Sequence, residues 1–377
     1  MDYAARKWPD FEHTGPGTLA GRFLRRFWQP VYLSADLPIG QARPLKIMGQ
    51  QFTIYRGESG TAHVVADRCL HRGTLLSTGQ VEGDQIRCFY HGWKYDATGQ
   101  CVERPAERSC PANLYIRSYP THEWLNMVFA YLGEGEAPPF PVLSDVADDG
   151  YLTVQAPLRT FNYFSQLENA LDEVHFRFVH RISRIAEQGL TDAIPTLTCE
   201  ETDYGLARAS TRRGVDRKTH FLMPNINASI FFDALHIVWR VPVDDYSHIS
   251  FTVDYCGGTS EEMDAYRARH EAEAAQIAAA TPASVLVDEV LAGRMSLDEL
   301  VDHPDLLSIQ DGTALKGQGV IANRENELLG ASDTHIVHMR RLWTNELTAI
   351  RDGAAPRVWQ WPDSLEVTSG LPIKDAA

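Results

Sequence analysis

Long apolar runs are missing from this chain of 377 residues. No stretch approaches the ~20 consecutive apolar residues that a membrane-spanning helix needs. The opening segment, MDYAARKWPDFEHTG, has no apolar core of the kind a secretory leader carries. The expectation is a cytoplasmic protein with no membrane partner. Positive charge is also in short supply: 35 Lys and Arg stand against 50 Asp and Glu, a formal net charge of -15. A nucleic-acid partner would want a basic face, so none is expected. Cysteine is sparse too, at six in the whole chain. Six scattered thiols do not make a disulfide framework, and a reducing compartment disfavours one. Metal binding is the better reading of any that cluster.

What is present is enough apolar material, 44% of residues, for a real core, in a length comfortable for two domains. Residues 14–30 read as a Gly/Pro turn and a short amphipathic helix with Leu19, Phe23, Leu24 and Phe27 on one face. From Pro44 to Leu132 the pattern is that of short strands, with GESG at Gly57–Gly60 as a turn. This predicts a small antiparallel β-domain. Residues 134–150 are Pro-rich and then acidic, as a boundary linker is. Beyond Tyr151 a helix is expected over 165–180 and several strands over 221–258. A polar surface helix follows over 260–280. A last helix over 333–350 carries Ile336, Met339, Trp343, Leu347 and Ile350 at helical spacing.

Two short stretches carry chemistry. CLHRG begins at Cys69 and CFYHGW at Cys88, and each supplies one thiol and one imidazole. The spacing is C-x-H, sixteen intervening residues, then C-x-x-H. Soft thiolate and borderline imidazole suit zinc or an iron–sulfur centre. Zinc modules usually pair like with like. A two-iron cluster with thiolates on one iron and imidazoles on the other, the Rieske [2Fe-2S] type, needs each loop to straddle both irons. Cys69, His71, Cys88 and His91 are the candidate ligands; a zinc knuckle and four unrelated buried residues are the alternatives. Gly73 and Gly92 permit tight loops, and Phe89, Tyr90 and Trp93 would keep water off one side. Cys101, Cys110, Cys199 and Cys256 fit no ligand spacing and read as ordinary buried cysteines.

The stretch CLHRGTLLSTG…IRCFYHGWKYDATGQC resembles the Rieske domain of the Rieske non-haem iron oxygenases. A second stretch, ENALDEVHFRFVH, places Asn169, Asp172, His175 and His180 in that family's N-x-x-D-x-x-H-x4-H pattern. Two imidazoles and one carboxylate on one face of Fe(II) leave positions open for O2 and substrate. In a regular helix five residues advance roughly 500°, which would leave His175 and His180 about 140° apart. A break or π-bulge is therefore expected between them. The resemblance puts the third ligand far downstream; Asp311 in LLSIQDGTALKGQG is assigned, with Asp302 and Asp305 as neighbours in competition. GPGTLAGRFLRRFWQPV and GVIANRENELLGASDTHIVHMRRLW resemble the phthalate-dioxygenase-like branch, so the likeness spans the chain.

The resemblance implies an α+β fold: an antiparallel β Rieske domain over 30–145, and a catalytic domain over 1–29 and 151–377. The latter would be a curved antiparallel sheet flanked by helices, helix-grip or START-like. It implies a terminal oxygenase component that hydroxylates an aromatic substrate, an aromatic acid foremost, using O2, a Rieske cluster and a mononuclear Fe(II). Oxidative O- or N-demethylation is the alternative within the family. A Rieske electron carrier without oxygenase activity is the alternative from another class. A flavin/[2Fe-2S] reductase would supply electrons. The family's head-to-tail homotrimer, alone or as a dimer of trimers, would set the cluster of one subunit against the iron of the next. Asp172 would bridge them, accepting from His175 and from the partner's His91. Arg208, Arg212, Arg213 and Arg240 lie on expected strands where one could clamp a carboxylate. Arg240 is the choice among them, and His236 shares its strand face four residues earlier; a surface or salt-bridge arginine and a core or interface histidine are the blander readings and the better bets.

Overall fold

The computed structural model describes residues 8–147, 149–355 and 357–369. Short β-branched and aromatic segments separated by Gly turns give three antiparallel sheets in a first unit. One pairs Ala42–Ile47, Gln50–Arg56, Ala62–Ala66 and Ser118–Tyr119 in that order; the Gly57–Gly60 turn links its second and third strands. Another pairs Gln80–Glu82, Gln85–Arg87, Lys94–Tyr95 and Cys101–Glu103. The third sets Met127–Tyr131, buried throughout, between Trp28–Leu33 and Thr121–Trp124.

This unit comprises His13–Phe140 and Val241–Asp244, so it begins earlier than the residue-30 boundary expected from sequence. The reason is local. The helix Leu19–Leu24, capped by the Thr18 hydroxyl, buries Ala20, Phe23 and Leu24. Arg25 then donates to the carbonyls of Thr14 and Met48, each at 3.0 Å. Val241–Asp244 join through Met48 N–H to Pro242 O and Gly49 N–H to Val243 O, both 2.8 Å.

The second unit is built on a larger antiparallel sheet. The strands Thr196–Glu201, Gly205–Arg212, Val215–Leu222, Ile226–Phe231, Ala234–Asp244 and Ser247–Cys256 follow one another as neighbours, and Tyr151–Gln155 closes on the last. Alternate residues of Gly205–Arg212 are buried, as a sheet covered on one face requires. The last helix, Thr334–Arg351, buries Ile336, Met339, Trp343, Leu347 and Ile350 as their spacing predicts. The polar helix Ser260–Ala279 starts at a Thr259/Glu262 capping box and buries Tyr266 alone among its residues. The expected helix over 165–180 is instead two pieces, Tyr163–Leu171 and Phe176–Val179. Among the described residues no single helix is long and apolar enough to cross a membrane.

Candidate metal centres and substrate cavity

The loops at Cys69 and Cys88 are near copies of one another. Cys69 N–H donates to Thr74 O at 2.9 Å and Cys88 N–H to Trp93 O at 2.8 Å. Gly73 N–H returns to Cys69 O at 2.9 Å, and Gly92 N–H to Cys88 O at 3.0 Å. Closing a loop that tightly takes a left-handed residue, and Gly73 and Gly92 sit at φ 74° and 75°. The cysteines point inward, Cys69 and Cys88 being 3% and 2% exposed, while His71 and His91 lie at the surface. The two imidazoles are 4.4 Å apart, and His71 stacks on Trp93 at 4.9 Å. Burial raises the Cys69 thiol, while the Tyr95 hydroxyl at 3.3 Å and the His71 amide favour its thiolate. Cysteines paired inside and imidazoles paired outside, with one of each per loop, suit a dinuclear cluster with unlike ends.

The second site is assembled from distant segments. Asp172 leaves helical geometry at φ -83°, ψ 109°, ending the Tyr163–Leu171 helix. Its Oδ1 then accepts from the N–H groups of Val174 and His175, at 2.8 and 3.2 Å, holding the turn that leads into the short helix Phe176–Val179. The break therefore falls before His175, not between His175 and His180 as expected. His180 caps the short helix at φ -100°, ψ 16°, and its ring turns back to within 5.1 Å of His175.

Each ring is fixed through Nδ1. His175 Nδ1 donates to the main-chain carbonyl of Asp172 at 2.6 Å, and His180 Nδ1 donates to Gln310 Oε1 at 2.9 Å. Both turn Nε2 toward Asp311, whose Oδ1 is 3.7 Å from His175 and 3.1 Å from His180. The expected bond from His175 to the Asp172 carboxylate is not made: Oδ2 stands 3.8 Å away, and the carbonyl has taken that role. Asn169 Nδ2 donates to Asp311 Oδ1 at 3.3 Å. Burial works to raise the Asp311 carboxyl, but His180, His175 and Asn169 outweigh it and hold it below the usual range.

Among the described residues His175, His180 and Asp311 form the group whose ligand atoms all lie within 4.8 Å of one another. Donors about 2 Å from an ion stand roughly 3 to 4 Å apart, so the trio fits one metal. Asp302 is exposed, and Asp305 precedes the Leu306–Gly317 helix that carries Asp311.

These three residues line a cavity of about 340 Å³. Arg159, Arg208, Arg217, Arg240, His236 and Asp254 line it too. Arg240 is buried, and among the described residues its Nε and Nη1 have no hydrogen-bond partner. Burial first, and Arg159 second, lower it to about 9. Of the other predicted arginines, Arg212 is tied to Glu173, Arg208 is buried at the cavity wall, and Arg213 is exposed in a turn beside Asp192 at 3.3 Å. Sequence reasoning missed Gln310, Arg159, Glu173, Arg217 and Asp254. Glu173 left a trace, an acid between Asp172 and Val174 with three arginines on strands downstream.

Comparison with known proteins bears on both sites. A family model for the Rieske [2Fe-2S] domain matches residues 27–120. The chain is 28% identical to the 5,5'-dehydrodivanillate O-demethylase oxygenase subunit of Sphingobium sp., covering 91% of this chain and 80% of that one. It is 28% identical to the phenoxybenzoate dioxygenase subunit alpha of Ectopseudomonas oleovorans, covering 92% and 86%. With the phthalate 4,5-dioxygenase oxygenase subunit of Pseudomonas putida it shares 27%, over 88% and 83%. The chain belongs to the Rieske oxygenases. Among solved structures, Pseudomonas putida CBB5 NdmB superposes with a TM-score of 0.67 at 21% identity, over 87% of this chain and 93% of that one. The oxygenase in a ferredoxin complex of carbazole 1,9a-dioxygenase gives 0.65 at 22%, over 87% and 92%. Both show the same fold. As a Rieske oxygenase the protein is a terminal oxygenase component whose cofactors are a [2Fe-2S] cluster and a mononuclear iron, with O2 as co-substrate.

Proposed function

We propose that this Rieske oxygenase hydroxylates an aromatic acid in the cavity lined by His175, His180 and Asp311. The observation that carries the reading is the convergence of that trio on a wall of a 340 Å³ cavity whose lining also includes the buried cation Arg240. Cys69, His71, Cys88 and His91 would hold the cluster, and His175, His180 and Asp311 the iron, which supplies the oxygen chemistry when bound. The chain's own residues do the rest. Gln310 and the Asp172 carbonyl keep both Nε2 atoms unprotonated and aimed inward. Asn169 steadies the Asp311 carboxylate.

Arg240, with Arg159 beside it, offers N–H donors to a substrate carboxylate in a site where burial strengthens the contact. His236 lines the same cavity four residues earlier on the strand. The relatives act, by their names, on a dehydrodivanillate, a phenoxybenzoate and a phthalate, which favours an acid. The first of them is an O-demethylase, and demethylation is the second reading. Electrons would come from a reductase or ferredoxin, since a solved neighbour is an oxygenase–ferredoxin complex. In a ring of three chains the part-exposed Asp172 carboxylate would accept from the partner's His91.

The test is iron content followed by oxygen uptake. An oxygenase holds about three irons per chain and a carrier about two. Substrate-dependent O2 consumption across benzoates, with product mass, then separates hydroxylation from demethylation. Three irons without uptake on any aromatic acid would overturn the substrate class.

A further inference from the structure

We infer that His236 and Asp254 form a specificity dyad that accepts a hydrogen bond from a hydroxyl group on the substrate, at the end of the cavity opposite its acid group. The inference rests on the aromatic-acid reading above and narrows it to hydroxylated aromatic acids.

His236 Nδ1 stands 2.6 Å from Asp254 Oδ1, a short contact of the charge-assisted kind. The two residues lie on the adjacent strands Ala234–Asp244 and Ser247–Cys256, and both line the cavity. A carboxylate can only accept from Nδ1, so it fixes the proton there and leaves the Nε2 lone pair as an acceptor. Among the described residues Nε2 has no hydrogen-bond partner. The ring is held edge-on by Phe231 at 5.4 Å, and Ser229 is its register partner on the next strand. The side chain is 27% exposed, so Nε2 is reachable from the cavity.

The chemistry of the two ends differs. Arg240 brings positive charge to the cavity wall; the dyad presents a lone pair backed by a negative charge. A carboxylate is drawn to the first and repelled by the second. A hydroxyl is the group that the second end recognises. Four residues along one strand separate the two side chains, roughly 13 Å at the usual rise. An aromatic ring with an acid at one end and a hydroxyl at the other fits that span, and the His175, His180 and Asp311 wall faces the same space.

The test compares substrates differing at one ring position in the iron-loaded enzyme: benzoic and cinnamic acids with hydroxyl, methoxy or hydrogen distal to the acid. Binding is read anaerobically by calorimetry and turnover by oxygen uptake. The hydroxylated member is expected to lead in Kd and kcat/KM by about 10- to 100-fold, the methoxy analogue failing because it cannot donate. In His236→Phe that ratio should collapse toward one. In Asp254→Asn it should fall part-way, because a neutral acceptor holds the tautomer less firmly. His236→Gln, whose amide oxygen can still accept, should restore part of the ratio. The visible cluster spectrum of each variant reports that it has folded. Oxidation of aromatic acids without regard to the hydroxyl, or a preference for methoxy, overturns the dyad and leaves the aromatic-acid reading standing. If no aromatic acid binds or consumes oxygen, that reading falls and the dyad falls with it.

Discussion

Residues 69–74 and 88–93 hold their shape by main-chain hydrogen bonds that never leave the loop, each closed by one left-handed glycine. His175, His180 and Asp311 meet by other means: a helix broken at Asp172, the helix Leu306–Gly317 that places Asp311 131 residues after His180, and the packing that brings them together. These two loops put their imidazoles at the surface, whereas His180 is 1% exposed. A site written into two short loops tolerates disturbance elsewhere. A site assembled from distant helices is only as firm as the interactions that fix those helices.

The largest expected effect separates the two directly. Asp311→Ala removes the carboxylate of the trio while leaving both loops untouched. Iron should fall from about three to about two per chain, with the visible spectrum of the cluster retained and turnover reduced by orders of magnitude. Loss of the spectrum along with the iron would show that the two sites are not independent.

Next comes the anchor of the broken helix. Glu173, buried between Asp172 and Val174, accepts from Arg212 at 3.2 Å, from Arg217 at 2.5 Å and from Ser210 at 3.0 Å. Arg212 also donates to the Glu173 main-chain carbonyl at 2.7 Å, pinning the ligand-bearing turn to two strands. Burial alone would raise this carboxyl, but Arg217, Arg212 and Arg208 pull it down to about 2. Glu173→Gln leaves three buried guanidinium groups uncompensated, which costs about 3–5 kcal/mol. Denaturant unfolding should show that loss in the larger unit, with the cluster spectrum as reference; an unshifted midpoint would remove Glu173 as the anchor.

This contrast also explains what the sequence made legible. The matching shape of the paired loops could be read because thiol, imidazole and turn glycine all fall within six residues. The last helix could be read because Ile336, Met339, Trp343, Leu347 and Ile350 repeat at one period. The helix break was placed wrongly because rotation per residue says that two imidazoles diverge, but not which bond yields. The Asp172 carboxylate supplied the answer by drawing the Val174 and His175 N–H groups into a turn, local hydrogen bonds that spacing does not reveal. Gln310, Arg159 and Asp254 were invisible for a different reason: each matters through a partner on a distant element. The early start of the first unit was likewise hidden in the reach of Arg25 to Met48.

Acid should strain the larger unit by about as much as the mildest loss expected for Glu173. His335, 1% exposed on the last helix, faces the carbonyls of Leu171 and Thr198. Burial first, and then Arg208, depress it to about 4. A histidine with a depressed folded-state value contributes its full stability above the unfolded value of ~6.5. Below that the unfolded chain takes up protons first, so stability falls as pH drops from ~6.5 toward 4, by roughly 3 kcal/mol. Denaturant midpoints at pH 7.5, 6 and 5 measure it. His335→Gln should flatten the slope while lowering the plateau; an unchanged slope would assign the acid sensitivity to another group.

The smallest effect belongs to the loops and tests whether their sulfur is a ligand at all. The Tyr95 hydroxyl lies 3.3 Å from Cys69 Sγ, and its oxygen already accepts the Leu70 N–H at 3.0 Å. With that N–H on its oxygen, the hydroxyl has its own proton to give, and the sulfur is where it points. A donor to a ligating thiolate favours the reduced, more negative cluster and so raises the potential. A hydrogen bond worth about 1 kcal/mol corresponds to roughly 40 mV for a one-electron couple. Tyr95→Phe should lower the cluster potential by that order, with iron content and the Asp311 site unchanged. A potential that does not move would mean that Cys69 sulfur carries none of the cluster's charge, and the assignment of the first loop would have to be redrawn.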